Sequence, residues 1–582
     1  MNSTRIRFPQ CLDPVPTSAE MNAWDAESVR LGIPDPVLME NAARAALGVL
    51  VREYGVLKGA RDREYDVLKG ARVLLLMGSG NNGGDAACLA RQLLDRGADP
   101  YVVHTSPLER AKGSTQINIH AAQACGVPFL PLEHFDTAAL PEFDILVDGL
   151  LGTGFRGCLR DNLITLVNTV NAHFRGFVLA LDIPSGLDSL TGRACPTAVK
   201  ARATATFAAA KPGLVVPWAR EHTGTLYVCD IATPLHVRKT LPCSYRLLSP
   251  AVLADVDADA DEPKGGVVTG GHKNRYGHVL VIGGAHGMMG AAHLAALAAL
   301  RAGAGLVTAA APAAGIDAVR GGRPEIMTRA LMSGRSAASS VDWPAGPAAM
   351  EQLTDLMDRA CAVALGPGLG RDADAEGLVE AILSLETRPP LVVDADALVI
   401  LGRRPDLLAR LRAADAITPH PGEAAALLGR TPADVATDRL GALAALVAHT
   451  EAAVLLKGAG SLVAQKDSPV LICPLDVPQL SCAGSGDVLS GLAASLLARG
   501  CPVVTDGEKV LYPALEPLAR AVVVHACAGL LVAENFPVRG CLAGEIADEL
   551  PRAKTVLADG DDGAWSEILH TDQIARNVPW RS

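Results

Sequence analysis

Aromatic residues are scarce, at 4% of 582 positions, so any core must be built from Ala, Leu, Val and Ile. The hydrophobic share of 49% is ample for that. Basic residues are outnumbered, 52 Lys and Arg against 63 Asp and Glu, giving a net charge of -11. That argues against a large basic face for duplex nucleic acid, though not against a small anion site. No apolar run reaches the roughly 18 residues that span a bilayer. The best candidate, Ala521–Ala533, is short and contains His525. The opening MNSTRIRFPQC has no apolar signal core. The 13 cysteines form no CxxC pair and no zinc spacing, which points to reduced thiols. The expectation is a cytoplasmic protein with neither nucleic acid nor membrane as a partner.

What is present is abundant glycine, 57 residues, and apolar runs ending in Gly-rich loops. At about 150 residues per domain the chain would hold about four domains, but two large α/β domains fit equally well. Helical stretches are expected over Ala19–Leu50, broken at Gly32–Pro36. A near-exact tandem duplication follows, REYGVLKGARD (Arg52–Asp62) and REYDVLKGARV (Arg63–Val73). Three helical turns take about 10.8 residues, so the second copy can keep one helical face in register. It reads as a local duplication in a connecting segment, without chemistry of its own.

From Val73 the pattern becomes strand, loop, helix, strand: VLLLM, then GSGNNGGD, then ACLARQLLDRG, then YVVHT. Such alternation predicts a parallel sheet covered on both faces. A second series starts at HVLVIGG (His278–Gly284) and continues through GLVTAA, CAVALGPG, PLVVDADAL, ADAITPHPGE and AVLLKGAGS. The expected fold is α/β, with two three-layer α/β domains. The boundaries drawn are 1–245, an acidic Ala-rich linker 246–265, 266–553, and a tail 554–582 that has little periodicity.

In the first domain, three strand ends carry polar residues. GSGNNGGD (Gly78–Asp85) turns from a strand into a helix, where backbone N–H groups suit a phosphate. It is neither GxGxxG nor a P-loop. DGLLGTGFRG follows Asp148, and DIPSGLDSLTG holds Asp182 and Ser185. Each alone could be a turn or a helix cap. Together they predict one polar pocket beyond the carboxyl ends of the strands.

These three segments resemble the YjeF N-terminal family, the NAD(P)H-hydrate epimerases. The resemblance implies that Asn81, Asn82, Gly83, Gly84 and Asp85 bind the hydrated nicotinamide nucleotide. It implies that Gly152, Thr153, Gly154, Phe155, Arg156, Gly157 and Cys158 hold its phosphates. Asn82, Asp148 and Ser185 would hold K+, and Asp182 is the expected acid/base. Ala86 departs from the family's usual Gly.

In the second domain the sharpest signal is CAGSGDVLSG, a Gly loop opening a helix. Gly484, Gly486 and the helix start form an anion hole, with Asp487 at its mouth. Developing charge on a transferred phosphoryl group would be stabilised there. Asp487 could instead be a plain N-cap, and Lys457 a structural ion pair. NRYGHVLVIGG, GPGLG, TPHPGEAAALLG, KGAGS and AGSGDVLSG resemble the YjeF C-terminal family of nucleotide-dependent NAD(P)H-hydrate dehydratases, within the ribokinase-like superfamily. The resemblance implies a catalytic Asp487 and nucleotide contacts from Lys457, Gly458, Ala459, Gly460, Ser461 and Gly486. It places Ala292, Gly368 and His420 on the substrate side, with Mg2+ and ADP as co-substrate. Ser461, Ser485, Ala285, Cys482 and Leu530 depart from common family residues.

The function expected is repair of NADHX and NADPHX, by C6 epimerisation followed by dehydration of the S form at the expense of ADP. Phosphorylation would turn a poor leaving group, hydroxide, into phosphate. The rival is a ribokinase-like small-molecule kinase with a non-catalytic N-terminal domain. A homo-oligomer is expected, since the exposed apolar faces of such domains commonly associate.

Overall fold

The computed structural model describes residues 8–59, 65–253, 276–331, 343, 347–499, 513–537, 540–559 and 570–571. It divides into two compact units, whose main spans are Asp13–Leu247 and Leu248–Asp562. Most of the linker drawn at 246–265 lies outside the described residues.

The first unit is built on a wholly parallel sheet. Its strands are β1 (Arg72–Met77), β2 (Asp99–His104), β3 (Phe129–Pro131), β4 (Ile145–Gly149), β5 (Phe177–Leu181), β6 (Ala203–Phe207) and β7 (Thr225–Cys229). A short strand, β8 (Tyr245–Leu247), follows, and Arg246 bridges antiparallel to Pro14. Val73–Met77 is buried along its whole length, as a strand covered by helices on both faces must be. The two faces are separate clusters: Val73, Leu75 and Met77 point to one, Leu74 and Leu76 to the other. That is the period-2 alternation of a strand.

The two early helices are Ser18–Arg30 and Asp35–Leu57. Thr17 caps the first with a reciprocal Thr17–Glu20 box. The second runs into the first copy of the duplication and stops at Lys58, where Gly59 turns at φ 72°. The second copy does not continue it. Tyr65–Leu68 is one 3-10 turn, so the expected shared helical face is not formed. Leu57 is 45% exposed, whereas its counterpart Leu68 is fully buried.

The second unit carries a sheet whose strands run β11 (Met327–Leu331), β10 (Leu306–Pro312), β9 (His278–Ile282), β12 (Ala362–Leu365), β13 (Leu391–Val393), β14 (Ala416–Ile417), β15 (Ala453–Leu456), β16 (Leu462–Ala464), β17 (Val470–Ile472). The first seven pair in parallel, and the last two close it with antiparallel hairpins. Small residues let the covering helices approach closely. A Cβ on Gly491, in the Ser485–Arg499 helix, would lie 1.9 Å from the carbonyl of Ala295 in the Met289–Arg301 helix.

The boundary at 553 cuts a helix, because Ala543–Ala558 continues past it. Further on, β18 (His570–Thr571) pairs in parallel with β7 at the edge of the first sheet. The Leu515–Asn535 helix has the length and composition to cross a membrane, with mean hydropathy 1.6. It is therefore longer than the apolar run read from the sequence. Yet 78% of that window is buried inside the fold, as in a core helix.

Candidate active sites

The first site lies at the carboxyl ends of β1, β4, β5 and β6. Gly80 precedes the Asn81–Leu94 helix, which puts Asn82 in its first turn. The glycines are dictated by crowding: a Cβ on Gly78 would sit 1.8 Å from the Leu150 carbonyl, and one on Gly83 2.0 Å from that of Gly78. Asn81 is exposed, whereas Asn82, Gly83, Gly84 and Asp85 are buried. Ala86 is accommodated because the helix has already begun there and it faces Gly149, where an added Cβ would come within 2.7 Å of its methyl.

A chain of hydrogen bonds joins the three expected cation ligands. Ser185 donates from its amide to Asp148 Oδ2 at 2.7 Å and from Oγ to Oδ1 at 2.6 Å. Its Oγ accepts from the Leu151 amide at 2.9 Å, and the Leu151 carbonyl accepts from Asn82 Nδ2 at 2.9 Å. Asp148 is fully buried, and desolvation pushes its carboxyl up to about 6. Asn82 Oδ1 is buried without a hydrogen-bond partner. A buried acceptor lacking a donor, among other hard oxygen atoms, suits a cation such as K+.

Asp182 follows β5 at φ 59°, a conformation that side-chain-bearing residues rarely adopt. The buried ammonium of Lys211 donates to its Oδ1 at 2.5 Å. Gly152 lies against the other oxygen: a Cβ there would be 3.5 Å from Asp182 Oδ2 and 3.3 Å from Asn82 Cβ. Asp85 is raised well above the usual range, first by burial and then by the charges of Asp182, Asp35 and Asp25. Asp25 is pushed up to about 6, chiefly by desolvation. The Gly152–Cys158 loop is half-buried to exposed. Ser18 fastens it by donating to the Thr153 carbonyl at 2.6 Å, and Arg156 closes on the carbonyls of Thr153 and Phe155. Lys211, Asp25 and Ser18 were not found from the sequence. The one available signal was an isolated Lys in the apolar stretch FAAAKPG.

The second site uses the ends of β9, β12, β13, β14 and β15. The Gly283 and Gly366 loops interlock: Gly284 N donates to Pro367 O at 3.0 Å and Ala285 N to Gly368 O at 2.7 Å. Gly368, at φ 60°, lies against Met288. Ala292 is fully buried beneath Gly284. His420 caps the Pro421–Leu428 helix, its Nδ1 accepting from the amides of Gly422 and Glu423. Nδ1 therefore carries no proton, and burial lowers the ring's affinity for one.

Lys457 is committed to an internal network. Its Nζ donates to Asp394 Oδ1 at 2.7 Å and lies 3.7 Å from Glu423. Ser490 donates to the other Asp394 oxygen. The structural ion-pair reading of Lys457 is thus realised. A Cβ on Gly486 would be 3.5 Å from that ammonium, so the charge stands directly behind the glycine loop. Asp487 is pushed up to about 6, first by burial, then by Asp394, with Lys457 opposing. The Lys457–Ser461 loop is shaped by Arg439, whose Nη2 donates to the carbonyls of Leu456, Lys457 and Gly460 at 3.2, 3.2 and 3.3 Å. Gly458 and Ala459 are exposed, and Ser461 Oγ donates to Gly458 O at 2.8 Å. Ser485 shares a hydrogen bond of 3.3 Å with His525, a ring that burial lowers to about 4. Glu423 belongs to the Pro-His-Pro-Gly-Glu loop around His420, whereas Asp394, Ser490, Arg439 and His525 carry no role in the sequence-based site.

Residues 279–552 match the family model described as NAD(P)H-hydrate dehydratase, and 36–213 that of the YjeF-related protein N-terminus. A Moorella thermoacetica protein, the bifunctional NAD(P)H-hydrate repair enzyme Nnr, is 37% identical over 92% of this chain and 95% of its own. The chain belongs to the bifunctional NAD(P)H-hydrate repair enzyme family. The family member from Coxiella burnetii is 32% identical, over 90% of this chain and 96% of its own. Among solved structures, an ADP/ATP-dependent NAD(P)H-hydrate dehydratase from Bacillus subtilis, co-crystallised with ATP and Mg2+, is 24% identical. Its TM-score is 0.40, covering 50% of this chain and 93% of that one. Family membership over both units favours the repair reading over a kinase with a non-catalytic N-terminal domain.

Proposed function

We propose that the first unit interconverts the C6 epimers of NADHX and NADPHX and that the second dehydrates the S epimer. The observation that carries this reading is the pair of carboxylates, Asp182 and Asp487, each at a glycine-lined loop beyond a parallel sheet. Inversion at C6 needs a bond at that carbon to break and re-form, by reversible ring opening or by loss and return of the hydroxyl. Asp182 moves the hydroxyl proton in that step, within a pocket formed by Asn81–Asp85 and Gly152–Cys158. Asn82, Asp148 and Ser185 would hold K+, which would supply a fixed positive charge and no redox chemistry.

In the second unit Asp487 accepts the proton of the hydroxyl as a phosphoryl group is transferred to it from ADP. The lone pair of the ring nitrogen then expels phosphate from C6, and loss of a proton from C5 restores the dihydronicotinamide ring. Gly486 and the start of the Ser485–Arg499 helix cradle the moving phosphoryl group, and the Lys457–Ser461 loop holds the nucleotide. Lys457 acts from behind Gly486, through its charge. Bound Mg2+ would neutralise charge on the nucleotide phosphates. His420, Gly368 and Ala292 shape the hydrate side. The protein acts as a homo-oligomer in the cytoplasm; light scattering on the purified chain tests the first of these.

The deciding assay supplies both NADHX epimers with Mg2+, K+ and either ADP or ATP and follows NADH absorbance. Recovery of the whole mixture, beyond the rate seen with Asp182→Ala, is expected. Recovery of the S fraction alone would remove the epimerase. No recovery with either nucleotide would remove the dehydratase and restore the kinase reading.

A further inference from the structure

The three protons of the Lys211 ammonium have three acceptors. They are Asp182 Oδ1 at 2.5 Å, Thr206 Oγ1 at 2.8 Å and the Phe207 carbonyl at 3.0 Å. The residue is 1% exposed, so this arrangement is closed to water. A buried ammonium is stable only when it is paired and fully hydrogen-bonded. Here the pairing fixes the geometry of its partner as well. The Asp182 amide donates to Ala205 O at 2.7 Å, while the carboxylate turns so that Oδ1 faces Lys211. That leaves Oδ2 facing Gly152, where the missing side chain keeps space open beside Asn82.

Other charges bear on the same place. Asp25 lies on the Ser18–Arg30 helix, Asp35 starts the Asp35–Leu57 helix, and Asp85 is in the Asn81–Leu94 helix. Asp35 accepts a hydrogen bond from Ser114. The carboxyls of Asp25, Asp35 and Asp182 disfavour charge on Asp85, and Lys211 is the cation that opposes them. Lys211 opposes the same repulsion at Asp25. Contact with the ammonium singles out Asp182 from this acidic group.

We propose that Lys211 is a positioning residue of the epimerase site, clamping one oxygen of Asp182 so that the other meets the substrate hydroxyl. The inference rests on the epimerase reading of the first unit. Lys211 itself touches no substrate. Its contribution is orientation, which appears in turnover and not in substrate affinity.

The test uses the full-length chain and purified R-NADHX, with epimer ratios read by chromatography. Lys211→Met is expected to lower kcat by about 100-fold and change KM by less than about threefold, and Lys211→Arg to recover about tenfold of that loss. Dehydration of the S epimer by the same preparations should be unchanged. Thr206→Val removes one acceptor of Lys211, together with the 3.4 Å hydrogen bond that Thr206 Oγ1 donates to Asp182 Oδ1, while keeping the shape. It is expected to lower kcat about threefold to tenfold at constant KM, and it supplies the answer if Lys211→Met does not fold. The proposal is overturned if wild type epimerises and Lys211→Met, or Thr206→Val in its place, matches it in kcat. It is equally overturned if the loss appears in KM alone. A wild-type chain that does not epimerise would instead refute the reading of the unit.

Discussion

Asp394 holds Lys457 in a buried ion pair, Oδ1 to Nζ 2.7 Å, directly behind the Gly486 loop. Asp394 is 1% exposed and its second oxygen is taken by Ser490. Removing the Asp394 charge leaves the Lys457 ammonium with Glu423 alone, 3.7 Å away, so the cost should fall below the roughly 3–5 kcal/mol of a fully unpaired buried charge. Asp394→Asn should therefore lower the melting temperature of the second unit in scanning calorimetry. It should also cut dehydratase kcat by about 10- to 100-fold, as the ammonium drifts from its place. Unchanged dehydratase turnover would mean that the pair is purely structural.

Dehydration should depend on pH through Asp487. Its carboxyl is raised to about 6 by burial and by Asp394. As the proton acceptor it must be ionised. The rate should then rise as pH passes upward through about 6 and level off above it. A profile of kcat/KM for S-NADHX that is flat from pH 5 to 8 would contradict the assignment.

Stability should respond to K+ through Asn82. The unpartnered Oδ1 gives a bound cation a ligand that is present only in the folded state. The first unit should melt at a higher temperature in KCl than in a chloride of a bulky organic cation at equal ionic strength. Asn82→Ala should abolish most of the difference. Equal melting curves for wild type in the two salts would count against a cation there.

Gly149 and Ala86 should be coupled. A methyl on Gly149 meets Ala86 Cβ at 2.7 Å and the Asn82 carbonyl at 3.0 Å. Overpacking of this kind costs about 1–3 kcal/mol. Gly149→Ala should destabilise the first unit in denaturant titration, and adding Ala86→Gly should restore part of the loss. Additive effects in the double-mutant cycle would show that the two do not share the space.

Much of the site was legible because glycine loops at strand ends are local signals. GSGNNGGD, LDIPSG and AGSGD each need a tight turn between strand and helix, and a short peptide encodes that turn. The ion pairs were not legible. Lys211 reaches Asp182 across 29 positions, and Lys457 reaches Asp394 across 63. Nothing in either segment names its partner; the parallel sheets supply it, β5 lying beside β6 in the first and β13 one strand removed from β15 in the second.

The duplication separates the two levels most cleanly. A local signal is enough for the turn within each copy: Gly59 and Gly70 take φ 72° and 74°, since both lie at the same place in KGAR and lack a Cβ. What precedes that turn depends on packing. In the first copy Tyr54–Leu57 finishes a long helix already packed on the sheet, and Leu57 is left 45% exposed. In the second, Tyr65–Leu68 must deliver the chain to β1 at Arg72, so it winds as a single tight turn and buries Leu68. Four residues have too weak a local preference to choose between these states, so the packing around them chooses.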